Sequence, residues 1–156
     1  MKTSDQSQLL QLSRLQYIDT LKLVLLALFT LGLYLAFYIR RQSAIINDVA
    51  EKPEQQISAW LSLLPQVLAF ASLFTQLLYF SAANESASHI NEAVGFIFNI
   101  SLAVWGFAAR RSIHQITSAQ QGSALWFDVL FTLLLSPFYF NYCINDANKQ
   151  KKGTAL

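Results

Sequence analysis

Residues 20–41 read TLKLVLLALFTLGLYLAFYIRR, and this stretch decides the fold class. Across residues 23–39 Thr30 is the one conspicuously polar side chain. A helix of about 20 residues rises ~30 Å, the thickness of a bilayer's hydrocarbon core. A secretory leader would carry a shorter apolar run followed by a small-residue cleavage site. This run begins after some twenty residues and ends in Phe37-Tyr38-Ile39 and two arginines, so it is expected to stay as a membrane anchor.

Three more apolar runs follow: residues 57–80 (ISAWLSLLPQVLAFASLFTQLLYF), 93–109 (AVGFIFNISLAVWGFAA) and 124–144 (ALWFDVLFTLLLSPFYFNYCI). Together they predict an all-α integral membrane four-helix bundle over residues 20–145, with helices near 20–40, 57–80, 93–110 and 123–144. Pro137 should kink the fourth helix, with a re-entrant hairpin at Ser136-Pro137 as the alternative. Ahead of the bundle, residues 1–19 place Leu9, Leu12, Leu15 and Ile18 at three-residue spacing, the pattern of an amphipathic interfacial helix. Residues 40–56 read as a solvated connector, and residues 146–156 as a polar, frayed tail.

Composition agrees. Of 156 residues 54% are hydrophobic and 13% charged, against about 45–50% and about 25% in soluble domains. A net charge of +2 is too small to argue for a nucleic-acid partner. Cys143 is alone and the histidines are two, His89 and His114, both expected in solvated loops. No metal site and no cofactor is therefore expected, and no Ser/His/Asp set, phosphate loop or HExxH helix marks catalysis. Asn84-Glu85-Ser86 fits a glycosylation sequon, a three-residue match common by chance. Membrane orientation stays open: Arg40, Arg41, Lys52, Arg110 and Arg111 fall on one side, and Lys2, Arg14, Lys22, Lys149, Lys151 and Lys152 on the other.

Small and polar residues recur at helical spacing. Ser58, Ser62, Pro65, Ala69, Ser72 and Gln76 step by four and three along one face of the second run. Gly95, Asn99, Ala103, Gly106 and Arg110 share a side of the third, and Ala124, Asp128, Thr132 and Ser136 a side of the fourth. Helices in lipid associate through close approach at small residues and through interhelical hydrogen bonds. These faces are expected to pack inward, with Leu, Phe and Trp toward lipid. Asn99 should bond across to Gln66, Gln76 or Thr132. Asp128, acidic within an apolar run, should pair with Arg110 or Arg111, with a proton relay as the sharper alternative. Gly32 and Ala36 permit close backbone approach, while Tyr34, Tyr38, Tyr139 and Tyr142 suit an interfacial belt and Arg40 and Arg41 snorkel to phosphates. The arginine pairs at residues 40–41 and 110–111 form a weak internal repeat.

The run Thr30-Leu31-Gly32-Leu33-Tyr34, with Phe37-Tyr38-Ile39, Arg41 and Ile46-Asn47 after it, resembles an uncharacterised family of small bacterial multi-helix membrane proteins. Its helices end in Thr-Leu-Gly-Ile-Tyr-x-x-Tyr-Trp-Leu-Tyr-Lys followed by an asparagine. Phe37 stands for the first later tyrosine, Tyr38 for the tryptophan, and Arg40 departs from the pattern. A fainter echo, Pro137-Phe138-Tyr139-Phe140-Asn141-Tyr142 with Asn145, closes the fourth run. The resemblance implies a bacterial inner-membrane protein and no activity. The expected function is an accessory or scaffold subunit, not an enzyme, whose partners are the lipid bilayer and other membrane proteins or further copies of itself. A homo-oligomeric channel or small transporter lined by Asp128, Asn99, Gln66 and Gln76 is the alternative, and a lipid-acting membrane enzyme the third.

Overall fold

The computed structural model describes residues 13–15, 18–82, 85–123 and 125–154. Five helices account for the fold: α1 (Thr20–Phe29), α2 (Leu33–Val49), α3 (Ala59–Ala82), α4 (Glu85–Thr117) and α5 (Val129–Thr154). Single 3₁₀ turns at Ser13–Leu15 and Pro53–Gln55 complete it, and the described residues hold no strand. α3 and α4 form a long hairpin; α4 also packs on α5, α2 lies against α3 and α4, and α1 bridges α2 and α5.

Two helical stretches, Pro53–Ser81 and Ser88–Thr117, are long and apolar enough to cross a membrane. Only 22% and 28% of their most apolar windows are buried in the chain, unlike the core helices of a soluble protein. On α4 the buried positions Phe98, Leu102, Trp105, Ala109, Ile113 and Ile116 keep helical spacing and define the inner face. Outward, α3 presents Trp60, Val67, Phe70, Phe74, Leu77 and Phe80.

The first apolar run is not one helix. α1 stops at Phe29, and its ten residues rise only about 15 Å. The stop is a Schellman closure: Gly32 N–H donates to Ala27 O (2.8 Å) and Leu31 N–H to Leu28 O (3.2 Å). Leu31 (φ 50°) and Gly32 (φ 87°) both take left-handed backbone conformations. Thr30 joins the two helices, its hydroxyl donating to Leu26 O (2.7 Å) and accepting from Tyr34 N–H (2.9 Å). The break lets the Phe98 ring of α4 sit against Gly32, 2.9 Å from where a Cβ would be.

Other expected boundaries also move. α2 runs through Val49 with Gln42, Ser43, Ile45 and Ile46 buried, so most of the expected connector is core helix. α4 begins at Glu85, which makes the expected loop around His89 and Glu92 helical. α5 starts at Val129, turns sharply at Ser136 (φ 30°, ψ −105°) and continues to Thr154. The expected tail is thus helical, with Ala147 and Asn148 buried, because a polar stripe on it docks into the protein. At the other end Leu15 is fully buried and Arg14 pairs with Asp48 (2.9 Å). This part of the expected interfacial helix therefore packs on the bundle; Leu9, Leu12, Asn84 and Ala124 lie outside the described residues.

Gly32→Ala should destabilise the protein by at least about 1–2 kcal/mol, the left-handed penalty of an L-residue before the Phe98 overlap is added. A thermal melt in detergent against the parent chain checks this; an unchanged melting temperature would show that the break does not need glycine.

Candidate functional site

The polar side chains of the bundle act mainly on backbone. Just before three of the helices lies an apolar residue whose main-chain groups are held by a side chain from a packed helix. Ile18 O, ahead of α1, accepts from Asn141 Nδ2 and Asn145 Nδ2, both at 3.0 Å. Ile57, ahead of α3, is gripped at both groups by Asn47: its N–H donates to Oδ1 (2.7 Å) and its carbonyl accepts from Nδ2 (2.9 Å). Phe127, ahead of α5, donates its N–H to His114 Nε2 (3.0 Å) and accepts at its carbonyl from Arg110 Nε (2.7 Å). Ile57 and Phe127 are almost wholly buried, so these groups have no water to turn to.

The α4–α5 clamp is reinforced by rings. The His114 ring stacks on Trp126 with centroids 4.6 Å apart, and the Arg110 guanidinium lies 5.5 Å from the Trp126 centroid. Phe127 stacks on Phe140 at 5.4 Å, and Phe140 meets Trp105 edge-on at 5.3 Å. Trp105, fully buried, donates its indole N–H to Ser43 Oγ (2.8 Å). Trp105, Phe127 and Phe140 therefore form the core's aromatic centre and do not face outward as the expectation for Phe and Trp had it. Their rings are the largest volumes available to fill the space between α2, α4 and α5.

Asp128 and Arg110 flank Phe127 without forming an ion pair. The Asp128 carboxylate instead caps α5, with Oδ1 accepting from Leu130 N–H (2.8 Å) and Phe131 N–H (3.2 Å). Ion pairs form at Arg14–Asp48 and His89–Glu92, whereas Arg110 turns to Phe127 O and neither Arg110 nor Arg111 bridges to Asp128. Tyr139 accepts the Asp128 N–H at its hydroxyl (3.1 Å). Tyr38 is buried rather than interfacial and donates to Asn141 Oδ1 (3.0 Å). Tyr142 is exposed, and Tyr34 half-buried.

The four residues proposed to line a polar route are apart. Gln66 accepts from Arg40 (3.1 Å), and Gln76 from Asn91 (2.9 Å), whose own Oδ1 accepts from Thr75 (3.0 Å). Asn99 does not reach across to Gln66, Gln76 or Thr132. It is exposed and donates to Gly95 O in its own helix (2.8 Å), because residues 95 and 99 lie away from the face that carries Phe98 and Leu102. A Cβ on Gly95 would meet nothing within 4 Å. Ala69, Gly106, Thr132 and Ser136 are buried, and Ser62, Ser72 and Ala103 half-buried. Ser136 Oγ donates to Leu102 O and lies against Gly106, which is where the bend of α5 meets α4. Among the described residues no three of His, Cys, Asp and Glu converge as metal ligands.

The roles of His114 and Asn145 escaped the sequence reading: Asn145 entered only as part of the motif echo, and His114, expected in a solvated loop, lies half-buried on α4 because it accepts the Phe127 N–H. The available signal for His114 was its four-residue spacing from Arg110, which puts both on one face. Compared with known proteins, the chain matches no family model, no curated protein and no solved structure.

Asp128→Asn should be near neutral, since asparagine caps as well as aspartate, whereas Asp128→Ala should lose about 1 kcal/mol. An equal loss from both would restore the ion-pair reading. Asn47→Ala leaves two buried main-chain groups of Ile57 unsatisfied and should lose about 2–4 kcal/mol. His114→Leu should destabilise more than His114→Gln, which keeps an acceptor for the Phe127 N–H. Detergent unfolding curves of the five variants decide these points.

Proposed function

We propose that the chain is a multi-pass membrane protein, of the bacterial inner membrane, that serves as an accessory or scaffold subunit through helix–helix contact. One observation carries this reading: the outward face of α4 places the Asn99 amide and the open backbone at Gly95 amid exposed Phe96, Ile97 and Ile100. In lipid an exposed amide with only its Nδ2 bonded, to Gly95 O, is unfavourable, and an unfilled glycine surface invites a second backbone. Asn99 lies about 5 Å along the axis from the middle of the Ser88–Thr117 span, where no headgroup reaches it. A partner helix would satisfy the amide and fill the surface at one place.

The inner polar groups support the same reading. Asn47, Arg110, His114, Asn141 and Ser136 are committed to holding backbone, which makes a rigid frame. The test is extraction of tagged protein from native membranes in mild detergent, with mass determination and identification of companion chains. A stoichiometric second protein is expected, and Gly95→Leu with Asn99→Leu should release it without lowering the melting temperature. A homogeneous assembly of this chain alone, unaffected by the double substitution, would overturn the proposal.

A further inference from the structure

A groove of about 640 Å³ runs between α1 and α5, walled by Val24, Phe131, Leu135 and Phe138 and ending at Thr20 and Tyr142. Its size lies within the range of about 300–1,000 Å³ of small-molecule sites, and its walls are almost wholly apolar. At Thr20 and Tyr142 it adjoins a second hollow of about 220 Å³, lined also by Asp19, Asn145, Asp146 and Lys149. The two form one amphipathic channel, long and apolar at one end and charged at the other.

The charged end has a definite preference. It offers two carboxylates against a single ammonium, Lys149. In its wall Asn145 is 7% exposed; Nδ2 holds Ile18 O, while Oδ1 is buried with no hydrogen-bond partner. A buried acceptor left unmet is unfavourable, and Asn145 lines the hollow in which a donor could meet it. Asp146 accepts one bond from Gln150 (2.9 Å), and Asp19 makes no capping bond to α1. The occupant therefore carries an apolar chain, N–H donors with positive charge, and an anionic group for Lys149.

We infer that this channel binds one glycerophospholipid with a primary-amine headgroup, an acyl chain in the groove and the ammonium among Asp19, Asn145 and Asp146. Lys149 takes the phosphate. A trimethylammonium headgroup has no N–H for these acceptors, and a purely anionic headgroup meets two like charges against one opposite. The assignment is independent of any partner on the outward face of α4, so either idea survives the failure of the other.

Native mass spectrometry of the full detergent-purified chain, delipidated and then titrated with dioleoyl phosphatidylethanolamine, -choline or -glycerol, tests it. One phosphatidylethanolamine per chain is expected, bound about tenfold or more tightly than either competitor. Asp19→Asn with Asp146→Asn should abolish that preference, weakening phosphatidylethanolamine, which loses hydrogen bonds as well as charge attraction, more than phosphatidylcholine, which loses charge attraction alone. Both substitutions spare the fold's hydrogen bonds, and circular dichroism confirms it; Asp19→Asn alone, at an exposed side chain, gives a second reading. Leu135→Trp should weaken all three lipids by filling the groove. Equal binding of the three headgroups, a preference that survives the double substitution, or no bound lipid at all overturns the inference.

Discussion

A main-chain amide or carbonyl that leaves both helix and water must find a side chain, and this constraint organises the molecule. Burial of Ile57 and Phe127 removes the usual remedy of solvation at two helix starts. Asn47 meets the need at Ile57, Arg110 and His114 together at Phe127, and Asn141 with Asn145 at Ile18. Each solution also fixes position, because both ends of the bond belong to different helices or their lead-in segments. The same groups thus complete the backbone and set how the helices sit.

The two interruptions obey the same rule. At Thr30-Leu31-Gly32 the freed groups are met by the Schellman closure and by the Thr30 hydroxyl. At Ser136-Pro137 the Ser136 hydroxyl turns to Leu102 O, and Gly106 leaves room for it to do so. Both breaks shorten an apolar run that length alone would make a full span. Among the described residues, only the stretches Pro53–Ser81 and Ser88–Thr117 keep the length for an uninterrupted crossing.

Helix content and the two long apolar helices were legible in hydropathy, because lipid-compatible runs dominate the composition. The break at residues 30–32 was hidden in plain sight. Thr-Leu-Gly is a helix-stop signal, but the fourteen apolar residues that surround it in the run 23–39 outweigh it in any window average. Polar residues misled in the other direction: Gln42 read as connector and Asn148 as tail, yet both are buried in helices that no local pattern assigns to the core. Asp128 was seen as a charge in search of an opposite charge, when its place one residue before a helix made it a cap. The role of Asn99 depended on rotation about the α4 axis, which the inner face around Trp105 determines.

The contact between Ile18 and Asn145 joins residues 127 positions apart. Closing so large a loop carries a high entropic cost, whereas the α3–α4 hairpin is local and closes early. During synthesis the hairpin is complete while α5 is still unmade, and α1 has only one of its two neighbours, α2, to lie against. α5 is the helix that brings Asn145 to Ile18. Its synthesis and the creation of the α1–α5 cleft are therefore a single event, and a ribosome that stalls before residue 141 releases a protein in which that cleft has never existed.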